Sequence, residues 1–120
     1  FPAEVILCTE AYKNENPEIV QAFVNATCKG LDWLQNHTSQ EAAEVLAELF
    51  PGMATEDLAD KIEIMRGAFS KNGYVSEEGQ NAVVDFAKRS GIITSDLSYE
   101  DTVDMSFVEK AIENGYAQAN

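Results

Sequence analysis

The polar and apolar positions of this chain fall into a short apolar run followed by a succession of amphipathic helical stretches. Glu4-Val5-Ile6-Leu7-Cys8-Thr9 reads as a short strand over 4–9, the one strand-like segment in the sequence. From Thr9 onward the spacing turns helical. Thr9 caps a short helix over 10–15. Asn16-Pro17-Glu18 then supplies a cap, a proline at the first helical position and an acid at the positive helix end. Val20, Phe23, Val24, Thr27, Leu31 and Leu34 recur at spacings of three and four, predicting a helix over 17–36. Gly30 inside it is either a close packing contact or a weak point.

Thr38-Ser39-Gln40-Glu41 has capping-box form, and Ala42, Val45, Leu46 and Leu49 predict a helix over 39–50 that stops at Phe50-Pro51-Gly52. Leu58, Ile62, Met65 and Phe69 mark one over 55–70, ended by Lys71-Asn72-Gly73. Ser76 opens a helix over 77–90 with Val83, Phe86 and Ala87, closed by Gly91. Ser98-Tyr99-Glu100-Asp101 and Ser106-Phe107-Val108-Glu109 are two more cap-like starts. The second of these opens a helix over 106–115 with Ala111 and Ile112. The pattern is mainly α: five to six helices plus one short N-terminal strand, in one domain over 1–120 without repeat or linker. A lone strand has backbone groups that need partners, so the pattern predicts self-association or strand exchange.

Charge narrows the function classes. Among 120 residues, 21 are acidic and 8 basic, a formal net charge of -13. That surface repels phosphate backbones and anionic lipid, so no nucleic-acid partner is expected. No run reaches the roughly 18 apolar residues of a membrane span. The start, Phe1-Pro2-Ala3-Glu4, lacks a basic and apolar leader and an initiator Met, and reads as a processed or excised piece.

The search for chemistry returns scaffolding. His37 is the single histidine, placed at a helix end without a ligand set around it. Asn36-His37-Thr38 matches a glycosylation sequon. Cys8 and Cys28 read as buried free thiols, with a disulfide between them left open. Glu41, Glu44 and Glu48, and Glu56, Asp57 and Asp60, recur opposite apolar stripes as solvated helix faces do. Asp101 to Asp104 lacks the glycine and bidentate Glu of a calcium loop. Trp33, Tyr12, Tyr74, Tyr99 and Tyr116 read as packing aromatics ahead of a ligand cleft. The residues thus predict no catalytic site, no metal site and no cofactor, favouring a binding or structural module over an enzyme.

Taken in order, the segments resemble the C-terminal portion of a solute-binding protein of ABC importers, of the nitrate/sulfonate/taurine and thiamine-precursor type. The resemblance rests on Val5-Ile6-Leu7-Cys8-Thr9, then Asn16-Pro17-Glu18-Ile19-Val20-Gln21-Ala22-Phe23, Gly30-Leu31-Asp32-Trp33-Leu34 and Ser39-Gln40-Glu41-Ala42-Ala43-Glu44-Val45-Leu46. It continues through Phe50-Pro51-Gly52-Met53, Gly73-Tyr74-Val75-Ser76-Glu77-Glu78-Gly79, Asp85-Phe86, Gly91-Ile92-Ile93, Tyr99 to Asp104, and Ser106-Phe107-Val108.

The resemblance implies a fragment of an α/β two-lobed, periplasmic-binding-protein-like (type II) fold, whose lobes close on a small-molecule solute and whose partners are ABC permease subunits. It implies an extracytoplasmic place, in the periplasm or lipid-anchored at the outer face of the membrane. It implies that the ligand segments lie upstream, so no ligand-binding residue is assigned to this chain. A free-standing helical interaction domain is the alternative. An enzyme of thiamine-precursor synthesis built on the same fold would need a histidine-rich region, which a single His37 does not supply.

Overall fold

A computed structural model describes residues 4–119 and shows seven α-helices among them. They are α1 (Glu10–Glu15), α2 (Pro17–Asn36), α3 (Ser39–Leu46), α4 (Thr55–Met65), α5 (Glu77–Arg89), α6 (Tyr99–Thr102) and α7 (Ser106–Glu113). No described residue is in a strand, so the strand expected over 4–9 is corrected to an extended, unpaired segment. Its side chains lie open to solvent, with Leu7 84% exposed. The physical reason is the one that made a lone strand suspect: among the described residues no second strand exists for its backbone to pair with. The leader reading on residues 1–3 lies outside the described residues.

Helix boundaries follow local chemistry closely, with instructive departures. Thr9 accepts the amide of Tyr12 (3.1 Å) and starts α1. Thr38 and Glu41 form the reciprocal capping box that starts α3, and Ser98 with Asp101 does the same for α6, an extra helix beyond the five to six expected. Asn16 is not the side-chain cap of α2; its amide donates instead to the Tyr12 carbonyl (3.3 Å) at the end of α1. Likewise Ser106 is the first residue of α7, and Asp104 accepts its amide at 3.1 Å. The stretches expected to 50 and 70 leave α-geometry early, tightening into 3-10 turns at Ala47–Leu49 and Arg66–Ala68. Pro51 accounts for the first, because the residue before a proline is pushed out of the α region. After α5, Gly91 takes φ 70°. The amide of Ile92 then reaches back to the Ala87 carbonyl at 2.9 Å.

Packing is divided between two small hydrophobic clusters. One joins Ala42 and Ala43 of α3 to Leu58, Ala59 and Ile62 of α4, with Trp33 and Leu34 of α2 against it. The other joins Cys28 of α2 to Val108, Ala111 and Ala117 at the C-terminal end, with Val24, Met105 and Ile112 around them. Helix α2 is the wall both share. Ala43 and Ala111 are fully buried, so close helix approach, rather than bulky side chains, defines both joints. Helix α5 packs chiefly on α6 and buries only Val84.

Several residues predicted on core stripes are instead exposed. Phe23 is 59%, Val45 66%, Leu49 72% and Phe86 57% exposed. A Cβ at Gly30 would meet nothing within 4 Å, which favours reading it as a weak point of α2 over a close packing contact. The accessible surface is 8540 Å², against about 6400 Å² for a compact monomer of this mass. The radius of gyration is 16.6 Å, against about 14 Å for a compact domain of this length. Two thin joints around one helix leave apolar faces that nothing in the described chain covers.

Ile62 is 8% exposed at the centre of the α3–α4 joint. Ile62→Ala is expected to destabilise by about 2–5 kcal/mol, the usual cost of a buried aliphatic truncation. Urea unfolding followed by circular dichroism measures it.

Candidate functional site

The positions singled out in the sequence are scattered over the fold. His37 stacks on Trp33 with ring centroids 4.0 Å apart and planes within 14°. Its Nδ1 lies 2.8 Å from the Trp33 carbonyl oxygen. A carbonyl only accepts, so this nitrogen carries the proton. The histidine thus closes the C-terminal end of α2.

Cys28 is buried, and burial pushes its thiol up from the ordinary value; the S–H donates to the Asn72 carbonyl at 3.3 Å. Cys8 is exposed and both cysteines are free, which corrects the expectation of two buried thiols and removes the open disulfide. The physical reason is that Cys8 lies on the extended segment, which no element covers. Glu41, Glu44, Glu48, Glu56, Asp57 and Asp60 are all exposed. Among the described residues no three His, Cys, Asp or Glu side chains gather as a metal set would.

Three polar joints matter more than those positions, and sequence reasoning did not single them out. The first surrounds Arg66. Its guanidinium donates to the Leu34 carbonyl near the end of α2 and to Ser39 Oγ at 3.0 and 3.3 Å. Ser39 Oγ in turn donates to Glu63, whose carboxylate lies 3.5 Å from Arg66. A cation at the negative end of α2 is favourable there. The serine oxygen has its donor and acceptor capacity engaged, so the group works as a clamp between α2, α3 and α4.

The second joint is Asn72, only 2% exposed. Its side chain donates to the Gln118 carbonyl (3.1 Å) and accepts the Tyr74 amide (3.1 Å), while its own carbonyl accepts the Cys28 thiol. Gly73 follows at φ 83°, a conformation that costs a side-chain-bearing residue. The sequence signalled Asn72-Gly73 only as a helix stop. What it could not show is that the loop folds back onto α2 and the C-terminal segment.

The third joint ties α1 to the start of α7. Lys13 Nζ donates to Asp104 Oδ2 at 2.7 Å, and the other carboxylate oxygen accepts both the Ser106 amide and its hydroxyl. The bond from Lys13 first, then those from Ser106, hold the Asp104 carboxyl below the usual carboxylate range. Nearby, Gln21 of α2 donates to the Phe107 carbonyl at 2.8 Å.

Two clefts flank this framework. One, of about 410 Å³, is lined by Pro17, Glu18, Gln21, Ala22, Asn25, Phe107 and Lys110 between α2 and α7. The other, of about 510 Å³, is lined by Asp32, Gln35, Asn36, Lys71, Gln118 and Ala119. Trp33 and the four tyrosines line neither cleft, and Tyr99 uses its hydroxyl to hold the Val75 carbonyl at 2.7 Å. No ligand-binding constellation is assembled from the residues the sequence singled out. What the geometry does assemble is the set of joints that hold α2.

The comparisons with known proteins meet the chain on this same helix. The family model described as NMT1/THI5 like matches residues 1–41. That stretch takes in the extended segment, α1, α2 and the capping box of α3. It supports, for this part of the chain, the resemblance to solute-binding proteins of the nitrate/sulfonate/thiamine-precursor type. The segments after Glu41 that carried the rest of the resemblance lie outside the match. No curated protein and no solved structure gives a match. No helix among the described residues is long and apolar enough to cross a membrane.

Two predictions test the joints. Asn72→Ala should destabilise by about 1–3 kcal/mol, because it leaves buried backbone groups without partners; denaturant unfolding reads it. Asp104 has a depressed pKa in the fold, so the stability it contributes is present above the ordinary carboxylate value. That stability is lost as pH falls through the depressed one. The thermal midpoint should therefore fall on acidification below about pH 4. Asp104→Asn should flatten that limb and lower the midpoint at neutral pH.

Proposed function

We infer that the chain is a helical structural portion of the substrate-binding component of an ABC importer. The solute class is a sulfonate, nitrate, taurine or a pyrimidine precursor of thiamine. The match of the NMT1/THI5 like family over residues 1–41 carries this reading. The uncovered apolar surface agrees with it, since a portion of a two-lobed protein leaves bare the faces that the rest would cover. On this reading the work is capture of a small solute in the intact parent, outside the cytoplasm, and delivery to permease subunits, without catalysis or cofactor. The scaffold role of α2 fits: its joints fix one wall of a lobe and leave the solute contacts to other segments.

The same exposed helix faces would serve a free-standing helical interaction domain. Ligand response separates the two. The complete product of the gene is expected to be stabilised against heat by one of these solutes, by about 2.7 kcal/mol at a hundredfold excess over Kd. The 120-residue chain alone should show no such shift. An absence of stabilisation by every solute in the complete product, or a gene with neither permease nor ATPase beside it, would sink the importer reading.

A further inference from the structure

Residues 76–103 satisfy much of their own chemistry. Ser76 Oγ accepts the Gly79 amide at 3.1 Å and starts α5. Gly91 and Ile92 close that helix against its own last turns. The Ser98–Asp101 capping box starts α6. Between the two helices, Gln80 Nε2 donates to Thr102 Oγ1 at 2.9 Å, and the Lys88 ammonium pairs with Asp96 of the connecting loop. Each of these bonds joins the segment to itself.

The framework around α2 shares little packing with it. Neither hydrophobic cluster includes a residue between 76 and 103. Helix α5 packs chiefly on α6 and buries Val84 alone. The chain on either side of the segment, by contrast, is firmly held. Asn72 is 2% exposed and accepts the Tyr74 amide at 3.1 Å, while Asp104 is bonded to Lys13 and Ser106. A neck lies between these anchors. There the Tyr99 hydroxyl donates to the Val75 carbonyl at 2.7 Å, and the Val75 amide donates to the Met105 sulfur at 3.3 Å.

Electrostatics adds no net attraction. The segment carries six acids against two bases, and the rest of the chain carries the remainder of the net charge of -13. Like net charges on the two parts favour their separation. A unit with few buried apolar contacts to its surroundings opens at a free energy below that of global unfolding.

We propose that residues 76–103 form a helical arm that opens as one cooperative unit while the α2 framework stays folded, with the Tyr99–Val75–Met105 neck as its clasp. Opening uncovers Val84, the residue that α5 keeps from solvent. The proposal stands independently of the importer reading, which concerns the complete gene product.

Native-state hydrogen exchange of the 120-residue chain in rising, sub-denaturing urea tests it. The slowly exchanging amides of α5 and the amide of Val103, which bonds the Tyr99 carbonyl at 2.8 Å, are expected to merge on one opening isotherm. That isotherm should lie below the one followed by α2 and α7. Tyr99→Phe removes one hydrogen bond at the neck and should speed exchange in the arm about fivefold. Exchange in α2 and α7 should stay as it was. Arm amides that exchange together with those of α2 overturn the proposal, as do separate isotherms for α5 and Val103. So does a Tyr99→Phe effect that is absent from the arm or as large in α2 and α7.

Discussion

Both hydrophobic clusters of this protein need the same helix, and that shared demand on α2 organises everything else. At 20 residues it is long enough to reach from the α7 joint at Val24 and Cys28 to the α3–α4 joint at Trp33 and Leu34. Neither joint is large. Their centres are alanines, a cysteine and a few branched side chains, so the free energy available from burial is modest and depends on close approach. A helix gripped at both ends can hold two thin clusters in one arrangement where neither would hold alone.

The polar joints sit where that grip would otherwise slip. Arg66 closes the C-terminal end of α2 and ties it to α3 and α4; Asn72 presses a loop against its middle; Gln21 and the Lys13–Asp104 pair fix its beginning. Each uses groups that the chain would otherwise bury unsatisfied or leave as helix ends. This is economical in an acidic chain, where eight cations face 21 acids. Lys13, Arg66 and Lys88 are committed to carboxylates in the fold. The six acids of α3 and α4 are all left at exposed positions, where mutual repulsion is cheapest. The family match falls on the stretch that includes α2, the helix to which the later segments attach in this fold.

Local signals were legible and distant ones were not. The start of α1 at Thr9, the α3 capping box and the glycine stop after α5 could be read from a few neighbouring residues, because caps and stops are set by groups within one turn. Apolar stripes were legible only as periodicity. For α2 the period allowed either of two faces, and Phe23 was placed on the buried one when the fold left it in solvent. Val45 and Phe86 miscarried in the same way. Periodicity gives the rotation between residues but not which side meets a neighbour. The strand at 4–9 failed for a related reason: its apolar residues had the pattern, but a strand exists only by pairing, and the pairing partner is never local.

By itself, then, the sequence determined the helical class, the approximate extents of the helices and the strongly negative net charge. It also carried the resemblance to solute-binding proteins, which the family match supports over its first 41 residues. Those properties depend on neighbours within a turn or on simple sums, so one dimension is enough to read them. Tertiary structure alone decided that α2 would be the common wall, that Asn72 would be buried, and that Arg66 would clamp three helices. It also decided that Ile19 and Phe23 of α2 would be left exposed. Each is a meeting between residues tens of positions apart, and only the path of the backbone through space brings them within the few ångströms where hydrogen bonds and close packing act.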